Sequence, residues 1–292
     1  MFDFIQAILD GILFGTTYSL IGIGFTLVFG VMHKINMAYA AASIGAAYVG
    51  LVSASAMKAA SAWAVFGCSL VAGGVLGFLV YLICFHLIPL RNENATLMST
   101  VGMLLLADEL ISHATTGAPQ NYPATLEDVM FRFGEMSIRG DLVVVFAVSV
   151  ACTAALLLLL YRTRLGLATR AVAQQPIAAQ LCGMRVAQVN ALTFVITGVL
   201  GGIAGALICS AVGSLSILLT GPLTVKGLIV TVIGGLGSVP GAIVAGLLVG
   251  GLENAFQHFR GVTERDMYVM LLLFAFLIFR PGGIFARGQG RD

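Results

Sequence analysis

Apolar residues run through this chain in stretches long enough to cross a membrane, separated by short polar segments. A spanning helix needs about 20 apolar residues, and such stretches fall at about 5–29, 35–56, 62–87, 95–115, 141–161 and 189–212. A further apolar region covers 222–257, and a last one 266–280. The pattern predicts an all-α polytopic membrane protein, a single transmembrane domain over 1–292 with about eight spans, including one broken or re-entrant helix pair. The broken pair is the region 222–257. Its centre, Gly234-Gly235-Leu236-Gly237-Ser238-Val239-Pro240-Gly241, cannot continue a helix, because glycine is conformationally free and proline lacks an N–H donor. Two short helices are expected, at about 222–235 and 241–257, which either cross twice or dip in and return. Broken helices persist in a bilayer only where the freed backbone is buried in protein or lines a cavity, and transporters place binding or moving parts there.

The polar intervals set the orientation. Tyr161–Gln188 carries Arg162, Arg164, Arg170 and Arg185 and no acid, which marks it as cytoplasmic by the positive-inside rule. Counting outward from it, His33-Lys34, Arg91, Arg280, Arg287 and Arg291 fall on the same side and the N-terminus on the other. The first span is expected to stay in place, because Met1–Gly11 carries Asp3 and Asp10 and lacks the basic start of a signal peptide. The loop 116–140 then lies outside, with Glu127, Asp128 and Glu135, and its alternation over 131–139 suggests a small hairpin. Within the basic loop of about 162–188, Pro176 to Gly183 reads as a brief helix, with proline at its start and glycine just past its end. A compact helix in a cytoplasmic loop is a candidate docking element.

Composition fits this picture. The chain is 59% hydrophobic and 10% charged, with a mean hydropathy of +1.02, whereas soluble domains carry roughly 25% charged residues. A net charge of +2 without basic–aromatic patches excludes nucleic acid as a partner. The cysteines Cys68, Cys84, Cys152, Cys182 and Cys209 form no CxxC, and His33, His86, His113 and His258 pair with no nucleophile. Neither a metal, a cofactor nor a catalytic site is expected, and no GxxxxGK[ST] phosphate loop is present. Four-residue glycine spacings (Gly11/Gly15, Gly73/Gly77, Gly198/Gly202, Gly201/Gly205, Gly237/Gly241 and Gly246/Gly250) predict close helix packing within the bundle. The last pair is open to a subunit interface as well. Asp108, Glu109, Lys226 and Glu253 lie in or near apolar spans, where charge is costly and hints at function. An ion-coupled carrier would use them directly. The structural alternative places Asp108 and Glu109 near the outer end of their span. It places Lys226 and Glu253 near helix ends, where long side chains snorkel, with no charge pair buried at mid-membrane.

Several segments, in order along nearly the whole chain, resemble one family. Gly11 to Gly24 resembles its opening helix, and Ile35-Asn36-Met37-Ala38 its I-N-x-A element. Pro89-Leu90-Arg91 with Thr100-Val101-Gly102, and Thr163 to Ala173 as T-x-x-G-x-x-x-R-A, follow in register. Gly234 to Ala242 and Arg280-Pro281-Gly282-Gly283 complete the set as GGxGSxPGA and RPxG. The chain is thereby identified as a member of the permease subunits of branched-chain amino acid (Liv-type) ABC transporters.

The resemblance implies a multi-pass protein of the bacterial inner (cytoplasmic) membrane, N-terminus periplasmic and C-terminus cytoplasmic. It also implies a second homologous permease, two cytoplasmic ATPase subunits, a periplasmic substrate-binding protein and membrane lipid as partners. ATP hydrolysis would belong to the ATPase subunits. Arg170, Pro176, Ala178, Ala179 and Gly183 would couple to the ATPase. Asn36, Tyr39, Gly234, Gly235, Gly237, Ser238, Pro240 and Gly241 are candidates for the pathway between the permeases. Two departures stand out: Ile177 where such loops commonly carry Glu, and Tyr39-Ala40 where the family often has His-Gly. An aromatic acid or an amide such as urea therefore stays open beside branched-chain amino acids. An ion-gradient-driven carrier or channel, which would transport alone without ATP, is the alternative from another class. A membrane scaffold is disfavoured by the broken region.

Overall fold

Each long apolar stretch forms a helix, and the polar intervals become caps and turns. The computed structural model describes residues 2–57, 61–88, 93–126, 129–133, 136–261, 264–280 and 282–285. Pro89, Leu90, Arg91, Glu127, Asp128, Gly134, Glu135, Pro281, Arg287 and Arg291 lie outside the described residues.

Helix α1 (Phe2–Met32) ends at His33, whose φ of 54° leaves helical space. Asn36 then accepts the Ala38 amide on its Oδ1 at 3.2 Å and opens α2 (Ala38–Ala56). The Ser61 hydroxyl accepts the Ala64 amide at 3.3 Å and caps α3 (Ala62–Val80). This helix continues as a π-helical segment, Tyr81–His86, before α4 (Glu93–Thr115). The interval after α4 holds β1 (Gln120–Asn121) and the hairpin of β2 (Met130–Phe133) and β3 (Met136–Arg139), which pairs Met130 with Arg139. Helix α5 (Gly140–Arg162) leads into the basic loop, which folds as α6 (Arg164–Gln174) and α7 (Pro176–Leu181). Helix α8 (Val186–Val212) stops at Gly213, and β4 (Ser214–Leu215) pairs antiparallel with β1. After a 3-10 turn come α9 (Thr220–Gly234), α10 (Val239–Arg260) and α11 (Arg265–Phe279).

Among the described residues, eight helices are long and apolar enough to cross a membrane; α11, with 15 residues, would rise about 22 Å. The glycine spacings are used inside the chain. Helices α1 and α10 run antiparallel in contact: a Cβ added to Gly11 would lie 2.5 Å from the Gly250 carbonyl, and one on Gly15 2.8 Å from that of Gly246. The Gly246/Gly250 face is therefore occupied by α1, which removes it from any subunit interface. Gly73 and Gly77 of α3 meet Gly198 and Gly202 of α8 in the same way. Close backbone approach of this kind replaces the hydrophobic drive that lipid does not supply.

Helix α10 follows α1 almost end to end. Gly237 sits beside Gly30 at one end, and Phe259 meets Phe4 at a tilt at the other, ring centroids 5.1 Å apart. Both arms of the 222–257 region are thus long and apolar enough to cross a membrane. Its glycine-rich break is the turn that joins them.

Candidate functional site

The α6–α7 unit packs on the end of the bundle that holds the C-terminal end of α1, and its folding is local chemistry. The Thr163 hydroxyl accepts the Gly166 amide at 3.2 Å, capping α6. A side chain at Gly166 would collide with the carbonyls of Leu159 and Leu160, so the sharp bend out of α5 requires glycine there. Arg170 lies with its guanidinium 5.2 Å from the centre of the Tyr161 ring, a cation–π contact that holds α6 against the end of α5. Gln175 is extended (φ −151°, ψ 98°) and separates the two helices, and Pro176 starts α7.

The end of α7 is a complete Schellman motif: the Met184 amide donates to the Ala179 carbonyl at 3.1 Å and the Gly183 amide to that of Gln180 at 3.0 Å. Gly183 has φ +83° with nothing near its Cα, so glycine is required there by backbone conformation alone. Ala179 is buried with Val31 of α1 and Val172 of α6, and Met184 packs against them. The opposite face carries Ile177 and Leu181, 74% and 85% exposed and one helical turn apart. Ala178 is exposed beside them.

Asn36 and Tyr39 come together around a cavity of about 10 Å³, shared with Ser43, Phe194 and Thr197, which is about the room one water needs. The Tyr39 hydroxyl donates to the Thr197 carbonyl at 3.1 Å, and its ring meets Phe25 edge-on at 5.1 Å. Gly24 and Gly201 leave the space for that ring: a Cβ at either position would press on it.

The turn residues Gly234, Gly235, Gly237, Ser238, Pro240 and Gly241 lie apart from this cavity. Gly235 and Gly237 take φ of 98° and 82°. The Ser238 hydroxyl accepts the Gly241 amide at 3.3 Å and caps α10. Gly234 and Gly241 stand back to back, a Cβ on Gly234 lying 2.5 Å from the Gly241 carbonyl carbon. The chain returns here after α11, where the Ile284 amide donates to the Ile233 carbonyl at 2.8 Å.

The reading of Lys226 and Glu253 as snorkelling side chains, with no buried charge pair, is overturned. They are 6% and 2% exposed, and Lys226 Nζ donates to Glu253 Oε1 at 2.8 Å. Tyr18 donates to the same oxygen at 3.3 Å. Arg265 Nε lies 3.0 Å from Glu253, and Asp266 Oδ1 3.1 Å from Lys226 Nζ. Tyr18, Arg265 and Asp266 were not singled out by the sequence. The usable signal was the tendency of intramembrane charges to pair with one another, with Lys226 and Glu253 on consecutive antiparallel helices. Asp108 is half-buried and Glu109 exposed, both eight residues or fewer from the end of α4. Among the described residues, no three His, Cys, Asp or Glu side chains are grouped to hold a metal.

Comparison with known proteins agrees with this architecture. The model of the family described as branched-chain amino acid transport system / permease component matches residues 7–279. The high-affinity branched-chain amino acid transport system permease protein BraD of Pseudomonas aeruginosa is 29% identical, the match covering 99% of this chain and 98% of BraD. LivH of Escherichia coli K12, a permease protein of the same kind, is 28% identical over 98% of this chain and 96% of its own length. Among solved structures, a transporter described as metal-chelate type ABC, in an inward-facing conformation, has a TM-score of 0.52 at 16% identity. That match covers 94% of this chain and 87% of the other and speaks to the fold alone. The chain belongs to the family of permease components of branched-chain amino acid transport systems.

Proposed function

We propose that this chain is one permease of an ATP-driven importer of branched-chain or related amino acids in the bacterial inner membrane. Its N-terminus is periplasmic and its C-terminus cytoplasmic. A second homologous permease, two cytoplasmic ATPase subunits and a periplasmic binding protein complete the machine. The observation that carries this reading is the outward face of α7, where Ile177 and Leu181 stand almost fully exposed on a helix whose other face is anchored. Exposed apolar side chains on an anchored element mark a contact surface. With Ile177 in place of the family's glutamate, the matching groove of the ATPase is apolar at that point.

The packing supplies a route for the motion. Closure of the ATPase pair displaces α7. Ala179 presses on Val31 and Val172, so the displacement enters α1, and α1 moves with α10 because their backbones are in contact. Asn36 and Tyr39 line the pathway where α2 faces α1 and α8. The 234–241 turn acts as the joint of α9 and α10 at the cytoplasmic end. The buried Lys226–Glu253 pair favours a second reading, a carrier driven by an ion gradient. Against it stands the hydrogen-bonded, charge-balanced state of that pair.

Purification of the tagged chain from native membranes in mild detergent, with its companions identified by mass spectrometry, tests the assignment. Two ATPase subunits and a second permease are expected. Recovery of the chain alone, with uptake unchanged in an Arg170→Glu, Gly183→Arg variant, would sink it.

A further inference from the structure

The four-charge cluster divides into two halves that differ in burial and in bonding. Lys226 on α9 and Glu253 on α10 are buried, joined by a hydrogen bond, and Tyr18 of α1 adds its hydroxyl. Arg265 and Asp266 open α11, and Asp266 is 47% exposed at its side chain. Their ionic contacts with the inner pair are close, yet Arg265 Nε and Asp266 Oδ1 lack hydrogen-bond geometry. Arg265 Nη1 also donates to Gln257 of α10 at 3.2 Å. Arg265 and Asp266 contact each other at 3.6 Å.

Each half is electrically neutral. Parting them leaves Lys226 with Glu253 and Arg265 with Asp266, so no buried charge is orphaned. An orphaned charge is what makes breaking a buried pair strongly unfavourable.

Helix α11 is suited to such a parting. Val269 is its one buried residue, and it packs chiefly on α10 and α9. Its far end is tied by the backbone bonds of Ile284 and Phe285 to Ile233 and Gly234. The helix is thus a strap fastened at both ends and lightly packed between them.

We infer that Arg265 and Asp266 form a releasable clasp that positions the head of α11 on the α9–α10 pair, and that the clasp opens during transport. The second half of this inference rests on the importer reading. The first half does not.

The test uses the assembled transporter with the five native cysteines replaced and Val269→Cys as the reporter. Reaction with a water-soluble maleimide is slow while the clasp is closed. Adding Arg265→Gln and Asp266→Asn is expected to speed labelling about tenfold, as local opening becomes easier, and the charge-conserving Arg265→Lys, Asp266→Glu variant to restore the slow rate. ATP turnover should speed labelling of the clasped protein. Unchanged labelling in the neutralised variant would overturn the clasp, as would failure of that variant to fold, since the inner pair is argued to suffice. Labelling that responds to neutralisation and not to ATP would overturn the transport step. If no ATPase is recovered with the chain, the importer reading fails, and the neutralisation arm still decides whether the clasp exists.

Discussion

The Tyr39 hydroxyl joins α2 to α8 through one bond to the Thr197 carbonyl, and its ring fills a notch left by Gly24 and Gly201. Removing the hydroxyl alone, as in Tyr39→Phe, should cost about 1 kcal/mol. Tyr39→Ala should cost about 3 kcal/mol or more, because a void remains where the ring was. Thermal unfolding in detergent separates the two, and equal losses would contradict the packing argument. Glu253→Gln or Lys226→Met alone should destabilise by about 3–5 kcal/mol, whereas the double change Lys226→Met, Glu253→Leu should be close to neutral. A double variant as unstable as the singles would show that the pair is not the unit. Sequence supplied these residues as unusual and missed their partnership. Which charge faces which depends on helix rotation, and residue spacing across the 235–238 turn does not set rotation.

At the scale of elements, helix limits were legible where caps mark them. Pro176 and Gly183 read correctly as start and stop signals because their effect is local. The span expected at 189–212 begins at Val186, and the basic loop contains α6 as well as α7. Helix α6 went unseen because its polar surface masks the apolar Val172 face that anchors it. The π-helical turn at 81–86 and the β1–β4 pairing were also illegible. Both involve neighbours distant in sequence: Phe194 packs at a tilt against Phe85, ring centroids 4.8 Å apart, and Ser214 pairs with Asn121. For α7 the expectation is a separation of stability from function. Ile177→Asp and Leu181→Asp alter exposed side chains, so stability should change by no more than about 0.5 kcal/mol. ATPase recovered with the chain should fall about tenfold, consistent with the loss of about 1.4 kcal/mol of binding. Gly183→Ala should instead shorten the helix end and cost about 1–2 kcal/mol, the penalty of a left-handed backbone.

On the scale of the whole molecule, the hydrophobic pattern was enough for a polytopic helical bundle, and the six motifs in register were enough for the family. The packing order was not: α1 lies on α10 and α3 on α8 because glycines face glycines, a choice among many spacings that all look alike in sequence. Orientation is open to direct labelling. Cys182 is exposed at the end of α7 and should react with an impermeant maleimide only from the cytoplasmic side of sealed vesicles. Reaction from the periplasmic side would invert the topology. The central claim is ATP-driven import through this permease, and uptake of a radiolabelled branched-chain amino acid into proteoliposomes holding the assembled transporter tests it most directly. Uptake should require both ATP and the binding protein and should be lost in the Ile177→Asp, Leu181→Asp variant. Uptake by this chain alone, driven by an ion gradient without ATP, would contradict the account.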